Sequence, residues 1–305
     1  MSAGQGVELL CGAESWLKLE LLDDDQKIHT TCDCLDNSLG IFYANANLDQ
    51  HYYVYALMIL SMFFDGFAFL FIWCYKGLQT HPMKIFMWIS FANFSFMWAL
   101  LFLTNICQYK LYELLDRAIF GPFSDWQVLE ALVLVAEFQI TFCYSMVIGL
   151  NASLCIDLIL TLRDPFSAPE SRYKAYLFVS VLGAFPAAFI RSKAYNIYLY
   201  GWIVVVVFVG YLISAIVSAI YAVRRLKHPG ISSEARQMFA RRHLSYIFVN
   251  IICQAYNIIS KINASTKDVP MDGWFATVLS ILFFGQGFFL SLVRFAEPSY
   301  LPTLA

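Results

Sequence analysis

The sequence predicts an all-α protein: a seven-helix bundle spanning a membrane, with its N-terminus outside and its C-terminus in the cytoplasm. Three observations carry that expectation. The 305 residues are 60% hydrophobic and only 14% charged, where a soluble domain is nearer half apolar and a quarter charged. Seven apolar segments approach the roughly 20 residues needed to cross a bilayer core. Lys and Arg gather in alternate connections, as the positive-inside rule requires.

Residues 1–51 form an acidic outer tail, with nine Asp or Glu against Lys18 and Lys27. Val7-Glu8-Leu9-Leu10 is no uninterrupted apolar core of the kind a cleavable signal peptide has, so the first span is expected to act as the signal. The membrane domain is expected over 52–295, with spans at 52–75, 83–107, 127–162, 173–190, 197–223, 244–262 and 274–295. The fourth and sixth are the shortest. Residues 296–305 are left as a short cytoplasmic tail. Twelve cations fall on the inner side and eight on the much longer outer side; the segment from Arg224 to His243 supplies most of the asymmetry. In that segment Pro229-Gly230 marks a turn and Ser233 can cap a basic helix running into the sixth span.

The net charge of −2 gives no basic stripe for nucleic acid. The eight cysteines are scattered, and Cys32-Asp33-Cys34 lacks the second pair of a zinc site. Free thiols are the expectation for Cys74, Cys107, Cys143, Cys155 and Cys253. A disulfide among Cys11, Cys32 and Cys34, or from them to Cys107, stays open as the alternative. No nucleophile–base pair, phosphate loop, haem motif or histidine pair at ligand spacing stands in the chain, so neither an enzyme nor a metal or organic cofactor is expected. The seventh span holds no lysine for a retinal Schiff base.

The long third segment organises the rest. Glu130, Glu137, Tyr144 and Asn151 recur every seven residues and share one helical face. Asn250, Gln254, Asn257 and Lys261 share a face of the sixth span. Ionisable groups inside a membrane are costly and mark functional positions by default. An outer, water-accessible cavity is therefore expected in which Glu130, Glu137, Asn257 and Lys261 meet a ligand; interhelical hydrogen bonding and a snorkelling Lys261 are the plainer reading. Asp65 is expected roughly 20 Å below the outer edge, within reach of Asn93 near the membrane centre, and the two form a candidate polar switch or a fixed structural hydrogen bond. Pro186 is expected to kink the fourth span.

The end of the third span carries a resemblance. Asp157 is followed eight residues later by Pro165-Phe166, and Arg172-Tyr173 opens the next helix. In this the chain resembles a divergent G-protein-coupled receptor, and Ser153-Leu154-Cys155-Ile156-Asp157-Leu158 is similar in style to protist cyclic-AMP-receptor-like receptors. Leu158 and Ile159 replace the usual Arg-Tyr, and neither a Cys-Trp-x-Pro in the sixth span nor an Asn-Pro-x-x-Tyr in the seventh is present. The resemblance implies an extracellular ligand and a plasma-membrane location. It also implies an inner lock at Asp157, with Arg163 as the substitute arginine and Asn151 in the polar core. Pro165, Phe166, Arg224, Arg225, Arg236, Arg241 and Arg242 would then meet a heterotrimeric G protein. A transporter or channel using Asp65, Glu137 and Lys261, or a structural subunit of a membrane complex, are the alternatives.

Overall fold

A computed structural model describes residues 48–76, 82–109, 125–164, 169–193, 197–226, 240–241, 243–255, 259 and 273–295. Nearly all of them are helical, and no strand occurs among them. In chain order the helices are α1 (Leu48–Cys74), α2 (Met83–Tyr109), α3 (Asp125–Arg163), α4 (Pro169–Lys193), α5 (Ile197–Leu226), α6 (His243–Ala255), α7 (Gly273–Phe284) and α8 (Gln286–Phe295).

Four stretches are long and apolar enough to cross a membrane: Tyr53–Cys74, Met83–Leu103, Ala131–Arg163 and Val205–Leu226. A helix in lipid satisfies its backbone internally, which is why apolar runs of this length settle as helices and not as loops. Two of the spans are central. The most apolar windows of α2 and α3 are each 61% buried inside the bundle, against 28% for those of α1 and α5. Their outer faces carry Phe63, Phe67, Leu70 and Trp73 on α1 and Val206, Ile213, Ile216 and Ile220 on α5, all exposed. In a multi-pass membrane protein that surface is wetted by lipid.

α3 packs against α2, α4 and α5. One cluster centres on Met58, Phe96, Met97, Tyr144, Tyr211 and Phe283. A second joins Ile85, Phe86 and Ile89 to Val147, Leu150, Leu154 and Tyr246. A third closes one end of the bundle where Leu158 and Leu162 of α3 meet Ala222 of α5 and Ala240, just before α6.

The α3–α4 contact depends on small side chains. A Cβ on Gly149 would stand 3.0 Å from Ser180 Oγ and 3.3 Å from Ser180 Cα, the latter a backbone atom that cannot turn aside. Between membrane helices such small residues allow the close approach that replaces a hydrophobic driving force. Gly149→Leu is expected to destabilise the folded protein by about 1–3 kcal/mol through overpacking. Gly183→Ala, with nothing within 4 Å, should be neutral or slightly stabilising. Thermal unfolding in nanodiscs separates the two; equal shifts would mean that the α3–α4 approach is not tight.

α4 continues as helix through Pro186, which removes a ladder hydrogen bond without ending the helix. One departure from the expected elements is visible. The single helix expected from 274 to 295 is interrupted instead by a turn at Gly285, between α7 and α8. The ladder bonds Gly285 N to Ile281 O (2.9 Å) and Phe289 N to Gly285 O (3.1 Å) persist across it. The Gly287 N–H, however, donates to Ser61 Oγ of α1 at 2.8 Å. Two glycines within three residues weaken the helix here, and Ser61 Oγ offers the Gly287 amide an acceptor outside it.

Candidate functional site: a buried polar layer and an end-of-bundle ion pair

Side chains that the apolar composition would exclude from a core meet between α1, α2, α6 and α8. Ser61 and Asp65 of α1, Asn93 of α2, Gln254 of α6 and Gln286 of α8 are each at most 1% exposed. Gln286 is the hub. Its Oε1 accepts from Gln254 Nε2 at 2.8 Å, and its Nε2 donates to Asn93 Oδ1 at 3.4 Å, so one side chain ties three helices. The next residue, Gly287, lies against Asp65: a Cβ there would overlap Asp65 Oδ2 and stand 2.5 Å from Ser61 Oγ. Glycine is required by that close approach.

The layer extends across α6 to α5. Asn250 Nδ2 donates to Tyr211 Oη at 3.1 Å, and the Tyr211 hydroxyl reaches the Ile247 carbonyl at 3.5 Å. Three polar atoms in this region, Asn93 Nδ2, Gln254 Oε1 and Asn250 Oδ1, have no hydrogen-bond partner among the described residues. A buried amide group left unsatisfied costs about 1–3 kcal/mol, and internal water is the ordinary remedy.

At the end of the bundle where α3 stops and α4 starts, Asp157 is fully buried. Its Oδ1 accepts from the Tyr176 hydroxyl at 3.3 Å and lies 3.6 Å from Arg172 Nη1. The counter-charge thus comes from α4, while Arg163 is exposed at the last turn of α3. Six residues separate Asp157 from Arg163, which at 100° per residue turns the two side chains well apart on one helix.

The other residues singled out by sequence are dispersed. Glu137 is half-buried on α3. Asn151 is fully buried, but its Nδ2 donates to Val147 O of its own helix at 2.8 Å, so no interhelical hydrogen bond runs through it. Asn93 bonds to Gln286 and not to Asp65. Arg224 and Arg241 are exposed and Arg225 is half-buried. The side chain of Glu130, and Asn257, Lys261, Pro165, Phe166, Arg236 and Arg242, lie outside the described residues, as do the side chain of Cys107 and the tail cysteines Cys11, Cys32 and Cys34. Cys143, Cys155 and Cys253 are free and buried, and Cys74 is free and exposed.

Sequence reasoning missed Ser61, Tyr211, Gln286 and Gly287. The signal for two of them was present in Gly285-Gln286-Gly287: a lone amide between glycines in an otherwise apolar segment marks a close helix crossing with a polar bond across it.

Fold and site together define a multi-pass α-helical membrane protein with a buried polar layer between its helices. No family model matches the chain, and no curated protein is similar enough to assign it to a family.

Proposed function

We propose that the chain is a seven-span membrane receptor of the G-protein-coupled kind, with its acidic tail outside and its basic 224–243 segment facing the cytoplasm. Ligand would bind near Glu130, Glu137, Asn257 and Lys261. The observation that carries this reading is Gln286, one buried side chain bonded to both α2 and α6 and seated on a helix interruption. Switching between receptor states needs an element with two discrete arrangements that both sites can bias. An amide hub at a broken helix supplies one, because shifting α8 exchanges its partners without exposing the backbone. The Asp157–Arg172–Tyr176 group would hold the resting state at the inner end.

A specific observation also favours a second reading. Asp65 is an ionisable group wholly enclosed at mid-helix, a placement frequent in ion-coupled transporters.

The test uses the full chain in nanodiscs. Recruitment of heterotrimeric G proteins is measured for the wild type, for Gln286→Leu and for Arg241→Ala. Nucleotide-sensitive binding that Arg241→Ala weakens and Gln286→Leu changes at least several-fold is the expected result. No recruitment across the G-protein classes, together with an ion flux in liposomes that Asp65→Asn abolishes, would replace the receptor by the transporter.

A further inference from the structure

Three primary amides, each at most 1% exposed, form one row through the buried layer. Gln254 of α6 donates to Gln286 of α8, and Gln286 donates to Asn93 of α2. Both bonds run in one direction, from α6 towards α2. The ends of the row are open: Gln254 Oε1 and Asn93 Nδ2 have no hydrogen-bond partner among the described residues. Neither has Asn250 Oδ1, one turn before Gln254 on the same face of α6, while Asn250 Nδ2 is held by Tyr211 of α5.

A primary amide carries an acceptor oxygen and a donor nitrogen of nearly the same size. Rotation by half a turn about the terminal torsion exchanges the two and leaves the rest of the side chain in place. Applied to all three residues, it reverses the row: Asn93 Nδ2 donates to Gln286 Oε1, and Gln286 Nε2 to Gln254 Oε1. Both directions keep two bonds between helices. A single flip sets nitrogen against nitrogen or oxygen against oxygen, so the three turn together or not at all. The ends decide the balance. In the reversed row the Gln254 amide N–H is turned to its own helix, where Asn250 Oδ1 stands at the i, i+4 spacing over which such side chains bond. The row then runs unbroken from α2 through α8 and α6 to Tyr211 of α5, and on to the Ile247 carbonyl. All three open atoms gain a partner, and Asn93 Oδ1 alone loses one. Holding Gln254 to both Gln286 and Asn250 fixes its rotamer more strictly, which offsets part of that gain.

We propose that this row is a two-way polarity switch: one concerted flip of Gln254, Gln286 and Asn93 joins α2 to α5 by continuous hydrogen bonding or disconnects them. No helix has to move. A group that accepts a hydrogen bond from Asn93 Nδ2 holds the direction seen in the structure, and one that donates to Asn93 Oδ1 favours the reverse. Asn250 is the positioning residue, since its oxygen receives Gln254 in the reversed direction only. Two discrete arrangements of one element are the physical requirement for coupling distant parts of a bundle. The switch is independent of the receptor reading, because it needs neither a ligand nor a G protein.

The experiment is NMR relaxation dispersion on the full chain in nanodiscs, with the side-chain amides of Asn and Gln isotopically labelled. Each signal is identified by its loss when that residue is replaced by Leu. In the wild type the amides of Asn93, Gln254 and Gln286 are expected to exchange between two environments at one shared rate in the microsecond to millisecond range. Asn250→Ala removes the acceptor for the reversed direction and should lower the population of that state about five-fold, the effect of one hydrogen bond. Ser280→Ala removes a buried hydroxyl between α7 and α1, outside the row, and should leave the populations unchanged. Circular dichroism checks that each variant is folded. Absence of exchange, or three unrelated rates, would overturn the switch. So would an unchanged population in folded Asn250→Ala, or an equal change in Ser280→Ala, which would show general loosening of the bundle.

Discussion

Gly287→Ala is expected to destabilise the protein more than any other single added methyl group among the described glycines. The new Cβ would overlap Asp65 Oδ2 and stand 2.6 Å from the Ser61 backbone carbonyl. Asp65 could rotate away, but Ser61 O could not, so α8 must draw off α1. That movement stretches the Gly287 N–H bond to Ser61 Oγ and shifts Gln286 from Asn93 and Gln254. Overpacking of this kind costs about 1–3 kcal/mol, and part of the layer's hydrogen bonding is lost with it. The measurement is thermal unfolding in nanodiscs, compared with Gly183→Ala, where the added methyl meets nothing. Asp65→Ala combined with Gly287→Ala should be more stable than the sum of the two single effects, since removing the carboxylate makes room for the methyl. Strict additivity would show that the two residues do not crowd each other.

Asp157→Ala should also destabilise the protein, at the opposite kind of site, an ion pair. It strips the Tyr176 hydroxyl of its acceptor and leaves Arg172 without its counter-charge. Breaking a fully buried pair costs about 3–5 kcal/mol. Here the Arg172 side chain is 17% exposed and lies at the end of a helix, so water or a headgroup can solvate it. The expected cost is therefore nearer 1–2 kcal/mol, between the values for exposed and buried pairs. Asp157→Asn retains an acceptor for Tyr176 and should cost about half as much. If the receptor reading holds, both variants should also raise partner binding in the absence of ligand, because the α3–α4 tie is weakened. Stability indistinguishable from wild type in both variants would remove Asp157 from any inner lock.

The helices themselves were largely legible. Helices occupy the first five expected segments, and four of these helices, α1, α2, α3 and α5, are long and apolar enough to cross a membrane, because apolar length is a local property and a bilayer enforces helix on any such run. In the sixth expected segment the described residues His243–Ala255 form an apolar helix. The seventh segment is helical as two pieces, and its interruption was not legible, since Ser61, which accepts from the Gly287 amide, sits 226 residues away in sequence.

The candidate site was legible only in its parts. Asp65, Asn93, Gln254 and Asp157 stand out because polar groups in apolar spans are few. Their partners do not. Asp157 is paired with Arg172 rather than Arg163, and Asn93 with Gln286 rather than Asp65.

By itself, then, the sequence determined that this is a helical membrane protein and which positions on each helix are polar. Both follow from composition and from a period of 3.6 residues, which act within one segment. The tertiary structure alone decided which polar groups meet. That depends on helix rotation and on how near two backbones come, set here by single glycines such as Gly149 and Gly287. A missing Cβ has no effect until another helix occupies its place.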